Sequence, residues 1–278
     1  MIDSSRDELK QWVVAIHHCL EANKGYVLPK KDSWMADSES MLQKSAMHSL
    51  SVLDLLESTK PTVEGIANVG FIDHYSIQTL VRAVLESYLV FYYVFLDEKV
   101  GIRIKKLRHK IWHASSLSQR QRQSRFSDGV TGLLKREKSK YLRLRRQILH
   151  SRSIGVVSIM QKPQLERKKA FDWKPQDGWR GIAVNTYLSE TYWVDVYNML
   201  SATVHSGAVV SNNMTHPDQR RVQEESASTA VSILNMIIPL FIEGYSKIFD
   251  RSNQYLQSDH DLKFKIEIAK GVVSGWGV

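Results

Sequence analysis

The sequence predicts an all-α protein: a multi-helix bundle of about seven to nine helices with a strongly basic helical insertion. Three observations predict it. Only 14 Gly and 6 Pro interrupt 278 residues, so long stretches carry no helix breaker. Apolar residues recur at three- and four-residue steps through most of the chain, the period of a helix with one buried face. Hydrophobic residues make up 43% and charged residues 24%, which excludes a wholly disordered chain and a collagen. A single helical domain over 1–278, with 101–152 as a basic lobe within it, is the expected organisation.

Each element has its own reason. Helix character starts near Ser5, with Ser4 or Ser5 as cap and Asp7 and Glu8 at the positive end. It carries the stripe Trp12, Ile16, Cys19 and Leu20 and stops at Gly25. A connector, Tyr26 to Pro29, leads to a second helix from Asp32 or Ser33. Its stripe is Trp34, Leu42, Ala46, Leu50, Leu53 and Leu56, and Lys60-Pro61 ends it. The third, from about Asp73 to Asp97, is apolar nearly all round (Ile77, Leu80, Val84, Tyr88, Phe91, Phe95), as a central helix is. Two basic amphipathic helices follow, about 101–115 and 129–150, on Ile104, Leu107, Ile111 and on Leu133, Leu134, Leu142, Leu144, Ile148, Leu149; 116–125 is polar and left open. Residues 153–181 form an irregular connector pinned by Trp173 and Trp179. A helix runs from about Asn185 to His205, ended by Ser206-Gly207. After a polar loop, Asn212 to Pro217, a long helix runs to Phe249 with a kink at Pro239. In the tail, 261–269 fits a short strand or a helix.

Ser226 to Ile242 carries no charge, but it is seventeen residues long and holds Ser, Thr, Asn and Pro. A spanning helix needs about 20 mostly apolar residues, so a buried core helix and no membrane span are expected. The single cysteine, Cys19, excludes an intrachain disulfide and a thiolate metal cage. With a polar N-terminal dozen unlike a signal peptide, this points to a reducing, cytoplasmic setting.

Charge is the most uneven property of the chain. Gly101 to Arg152 holds sixteen Lys and Arg against two acids, Asp128 and Glu137, a net of +14 that leaves −5 for the rest of a +9 protein. Such a segment needs counter-charge, and phosphate is the commonest polyanion. The expected nucleic-acid contacts are Arg103, Lys105, Lys106, Arg108, Lys110, Arg143, Arg145 and Arg146, with Trp112, Phe126 and Tyr141 interleaved as stacking surfaces. A solvated helix face, an acidic partner and anionic lipid are the competing readings.

The chemistry-bearing candidates are few. Tyr197, Ser201 and His205 stand at steps of four, near one helical face, and drift about 40° per step. Arg82 and Glu86 are four apart in a very apolar helix, where an ion pair forced inside needs further partners. Arg-x4-His occurs at Arg108/His113 and Arg145/His150, in a segment where cations and histidines are dense enough for chance matches. No G-x-x-x-x-G-K-[ST], G-x-G-x-x-G or H-E-x-x-H is present. His17-His18-Cys19 is contiguous, so its side chains diverge on a helix, and His74 and His216 are isolated. No metal and no cofactor are expected.

Two of these segments together carry a resemblance. Ile77-Gln-Thr-Leu-Val-Arg-Ala-Val-Leu-Glu-Ser-Tyr88 resembles the R-x-x-x-E helix of an uncharacterised all-helical bacterial domain family. Asp195-Val-Tyr-Asn-Met-Leu-Ser-Ala-Thr-Val-His-Ser206 resembles its Y-x-x-L-S-x-x-V-H helix, and Trp173, Trp179 and Tyr187 resemble its run-up. The resemblance covers roughly residues 40 to 250. That family looks like a distant relative of the HEPN superfamily, whose helical bundles dimerise and often cut RNA in toxin and anti-phage systems. The resemblance implies a shared polar site of Arg82, Glu86, Ser201 and His205, beside Tyr197, and a homodimer or larger complex. As a metal-independent ribonuclease, the chain would use His205 as general acid or base and Arg82 to steady the phosphate. Glu86 would orient Arg82, and Ser201 would hold the imidazole. Ser201 stands where the HEPN ribonucleases carry an Arg before the histidine, so Arg82 would have to supply that charge. The alternative is a non-catalytic nucleic-acid-binding or assembly module in which the same cluster locks helices together. RNA is favoured over DNA by the resemblance.

Overall fold

The computed structural model describes residues 2–57, 70–121, 131–153, 155, 165–167, 171–204 and 218–275. Among them the chain is all-α, with no strand and ten α-helices. In chain order these are α1 (Ile2–Ala22), α2 (Asp37–Leu56), α3 (His74–Phe91), α4 (Ile102–Arg120), α5 (Thr131–Leu149), α6 (Gly178–Ala183), α7 (Glu190–Val204), α8 (Gln219–Ser246), α9 (Asp250–Ser258) and α10 (His260–Gly275). A 3₁₀ turn, Ser33–Ala36, precedes α2 and a π turn, Tyr92–Leu96, follows α3. Eight of the ten are fifteen residues or longer. The chain divides into two compact units, 1–91 with 187–278, and 92–186. The basic segment 101–152 belongs to the second.

In the first unit α8 is the organising helix. It packs against α1, α2, α3, α9 and α10, and from Ala227 to Tyr245 its inward residues are buried and, Asn235 apart, apolar. Phe241 has its ring 4.5 Å from that of Phe91 and 6.0 Å from that of Tyr88, joining α8 to α3. Several polar groups inside are paired, which offsets the cost of burying them. Asn235 Nδ2 donates to the Ser5 carbonyl at 2.9 Å and to Glu8 Oε2 at 3.1 Å. Ser252 Oγ donates to the Cys19 carbonyl at 2.7 Å. The side chain of Asp218 caps α8 by accepting from Arg221 N, and Pro239 sits buried in the middle of a helix that continues on both sides.

Several expected details differ. The first helix starts at Ile2, so Ser4 and Ser5 lie inside it and do not cap it. The α2 stripe is shifted: the buried residues are Ser38, Met41, Leu42, Ser45, Ser49, Val52 and Leu56, while Leu50 is 49% exposed. The reason is the serines. Ser45 and Ser49 donate to the carbonyls four residues back, at 3.0 and 2.8 Å. Their hydroxyls are thereby satisfied, and their small size suits a close helix contact. The helix expected from Asn185 begins at Glu190, where Ser189 Oγ accepts from Tyr192 N at 3.2 Å. The tail resolves as helix α10. The helical continuation of 74–96 and helix α8 are long and apolar enough to cross a membrane; 56% and 78% of their most apolar windows are buried within the fold.

The second unit is built on α4 against α5. Its core is Leu107, Ile111, Ala114, Leu117, Tyr141, Ile148, Leu165 and Phe171, with Leu142, Leu144, Leu149 and Trp173 packed on it. Ser115 Oγ ties in the connector by donating to the Phe171 carbonyl at 2.6 Å. The rings of Trp173 and Trp179 stand 5.7 Å apart, edge to face. Leu133, expected on the inner stripe, is 48% exposed, and Glu137 takes an inner position instead, ion-paired with Arg120.

Candidate functional site

Arg82 and Glu86 lie on α3, one turn apart. Arg82 Nε donates to Glu86 Oε1 at 2.9 Å. Across the seam, Arg82 Nη2 donates to Tyr197 Oη of α7 at 3.0 Å, and the guanidinium carbon stands 5.0 Å from the Tyr197 ring centre. The phenol is held in turn by Trp193, whose ring is 4.5 Å away. One turn before Arg82, Gln78 Oε1 accepts from Oγ1 of Thr203, which lies six residues beyond Tyr197 on α7. The α3–α7 seam is thus a polar row set beside an apolar core. With side chains 15% and 29% exposed, Arg82 and Glu86 sit at its margin. Burial works against the charge of Arg82. The hydrogen bond and charge of Glu86, with Tyr197, outweigh it and raise the guanidinium pKa above its ordinary value. Arg82 Nη1 is buried and makes no hydrogen bond among the described residues.

The sequence candidates divide here. Arg82, Glu86 and Tyr197 are brought together. Ser201 is half-buried, about 40° further round α7 than Tyr197, and makes no side-chain hydrogen bond among the described residues. His205 lies outside the described residues, as do Ser206-Gly207, the loop 212–217, Lys60-Pro61 and Phe126. Tyr197 is the member of the row that contacts Arg82, because the core face of α7 runs through Tyr192, Trp193, Val196 and Leu200.

The basic candidates divide as well. Arg108 is held inside its unit: Nη1 donates to Asp97 Oδ2 at 2.6 Å and to the Tyr93 carbonyl at 2.9 Å, and the guanidinium lies over the Tyr93 ring. Lys105 Nζ donates to the Leu96 carbonyl at 2.8 Å. Burial, the largest influence, lowers its pKa against the pull of Asp97 and Glu98. Arg145 is bonded to the carbonyls of Leu165 and Glu166. In neither Arg-x4-His spacing does the guanidinium meet its histidine; His150 Nδ1 instead lies 2.8 Å from the Arg146 carbonyl. Arg103, Arg143 and Arg146 are exposed, and Lys106 and Lys110 are half-buried. Tyr141 is a core residue, 5% exposed, so it offers no stacking surface. Trp112 is half-buried against His109 and His113.

Composition alone did not single out the four cations on the N-terminal half of α5. Lys135, Arg136, Lys138 and Lys140 are exposed, on the same outer face as Arg143 and Arg146. None of these six makes an ion pair among the described residues. The one acid of α5, Glu137, is turned inward onto Arg120. A helical wheel would have found this face: Glu137 shares an angular sector with Tyr141, Leu144 and Ile148, and the cations fill the opposite one. The chain matches no family model, no curated protein and no solved structure.

Proposed function

We propose that this chain binds RNA through the exposed face of α5, as a HEPN-like cytoplasmic effector of the toxin or anti-phage kind. The observation that carries the reading is the set of six uncompensated cations, Lys135, Arg136, Lys138, Lys140, Arg143 and Arg146, on one side of one helix. Phosphate contacts of this sort supply affinity and position without reading base identity. Preference for RNA over DNA rests on the resemblance. The test is fluorescence anisotropy with single-stranded RNA, duplex RNA and duplex DNA of equal length. Binding that weakens steeply with salt and favours RNA supports the proposal; binding to none of the three rejects it.

Cleavage is a second reading, and Arg82 supports it. Its guanidinium is oriented by Glu86 and Tyr197, and its buried Nη1 has no hydrogen-bond partner among the described residues. A fixed guanidinium of this kind can stabilise charge developing on a phosphoryl oxygen. The test is incubation of total RNA with the wild type and with His205→Ala. Cleavage by the wild type alone supports catalysis. Equal cleavage removes His205 from the mechanism. No cleavage by either leaves a binding or assembly module in which Arg82 joins α3 to α7.

A further inference from the structure

We propose that His109 and His113 form a binding site for a divalent transition-metal ion of the zinc and copper group. The two residues are four apart on α4, so their side chains rise from the same face one turn from each other. Their Nε2 atoms converge to 3.2 Å, and their rings stand 4.5 Å apart at 65°. Two imidazole nitrogens bound to one ion at about 2.0–2.1 Å lie about 2.9 Å apart at a right angle and about 3.3 Å apart at the tetrahedral angle. The observed separation falls between these limits, at an angle of about 100° for the same bond length. The two nitrogens are therefore already spaced as a shared ion requires.

The surroundings hold this geometry. Trp112 packs 4.9 Å from His113 and 6.0 Å from His109, and Phe95 stands edge-on to His109 at 5.9 Å. These three aromatic contacts restrict rotation of the imidazoles. In the metal-free protein the two Nε2 atoms are within reach of a single N–H···N hydrogen bond. Binding requires both Nε2 atoms to present lone pairs, so a proton carried on either Nε2 must be given up as the ion enters. A ligand set of imidazoles selects against hard ions held mainly by charge, such as magnesium and calcium. It leaves those whose bonds to imidazole are intrinsically strong. The helix supplies two ligands of such an ion, and its remaining coordination positions are open to other donors.

Trp112 provides a readout independent of any activity. Copper(II) added to the full chain should quench part of the tryptophan fluorescence, saturating at one ion, and zinc(II) should bind with the same stoichiometry by calorimetry. His109→Ala and His113→Ala should each weaken binding by at least ~100-fold, since losing even an outer-shell partner of a metal site costs 10–100-fold. His150→Ala and the pair His17→Ala/His18→Ala should bind as the wild type does. Trp112→Phe should lose the quenching and keep the calorimetric signal. Circular dichroism on His109→Gln and His113→Gln, which keep side-chain bulk, separates lost ligation from lost folding. Binding that survives either alanine variant, or that disappears with His17 and His18, overturns the proposal.

Discussion

The sharpest prediction concerns the outer face of α5. Replace Arg136, Lys140 and Arg143 by Gln. All three are exposed and unpaired among the described residues, so the fold loses nothing it uses. Six available cations set the ceiling on phosphate contacts. At about −0.7 in log K per log salt for each phosphate on a single strand, the wild-type slope reaches about −4. Affinity then falls about 250-fold between 50 and 200 mM salt, on the same dependence. Halving the contacts brings the slope to about −2 and the loss over that range to about 15-fold. At 100 mM salt the triple variant should bind about 100-fold more weakly. The assay is anisotropy of a labelled single-stranded RNA at four salt concentrations.

The control is Lys30→Gln/Lys44→Gln/Lys263→Gln, which removes the same charge from exposed positions of the first unit. If attraction came only from the net charge of +9, both triple variants would shift the slope equally. If the α5 face is the interface, the control keeps the wild-type slope. An unchanged slope in the α5 variant, or equal shifts in the two, refutes the reasoning.

Four further outcomes are expected. Tyr197→Phe keeps the stacking on Trp193 but leaves Arg82 Nη2 without its acceptor; it should cost about 1 kcal/mol, read as a melting temperature lower by ~2–4 °C, and an unshifted transition would deny the seam a role in stability. Arg108→Gln removes the partner of Asp97, a carboxylate only 2% exposed; urea titration should register a loss of about 3 kcal/mol or more, while the RNA salt slope stays unchanged. The Cys19 thiol is fully buried, and burial pushes its pKa up to about 12, so at pH 8 it should react with a disulfide reagent only on unfolding; stoichiometric labelling of the native protein would contradict that burial. His74 has its pKa lowered, first by burial, against weaker opposition from the Ile72 carbonyl and Asp73; its contribution to stability is whole above the unfolded value of about 6.5 and is lost as pH falls below it, so unfolding free energies at pH 7.5 and 5.8 should differ less in His74→Gln than in the wild type.

Much of the architecture is legible in the sequence because helix burial leaves a periodic trace. Trp12, Ile16 and Cys19, or Ile77, Val84 and Tyr88, are apolar at helical steps, and they are buried. The trace fails where a polar residue satisfies itself. Ser45 and Ser49 hydrogen-bond to their own helix and enter the core, displacing Leu50 to the surface. Glu137 enters because Arg120 meets it. Hydrophobicity scales charge these residues a desolvation cost that local pairing has already offset. For the candidate site, the four-residue spacing of Arg82 and Glu86 is visible in sequence. Their meeting with Tyr197, 115 residues away, depends on how α3 and α7 cross.

The charge asymmetry exposes a different limit. Net charge is a sum over residues, so +14 between 101 and 152 can be read without any structure. Which cations remain available is a matter of partners, and those partners lie outside the sum. Asp97 and the Tyr93 carbonyl take Arg108, the Leu96 carbonyl takes Lys105, and the Leu165 and Glu166 carbonyls take Arg145. The consequence separates two helices of similar composition. Part of the positive charge of α4 fastens that helix to the turn before it, so removing Arg108 is felt as stability. The charge of α5 meets almost no acid among the described residues, so removing it is felt by whatever polyanion approaches. A basic segment is thus part scaffold and part interface, and the dividing line is drawn by backbone carbonyls that no count of charged residues includes.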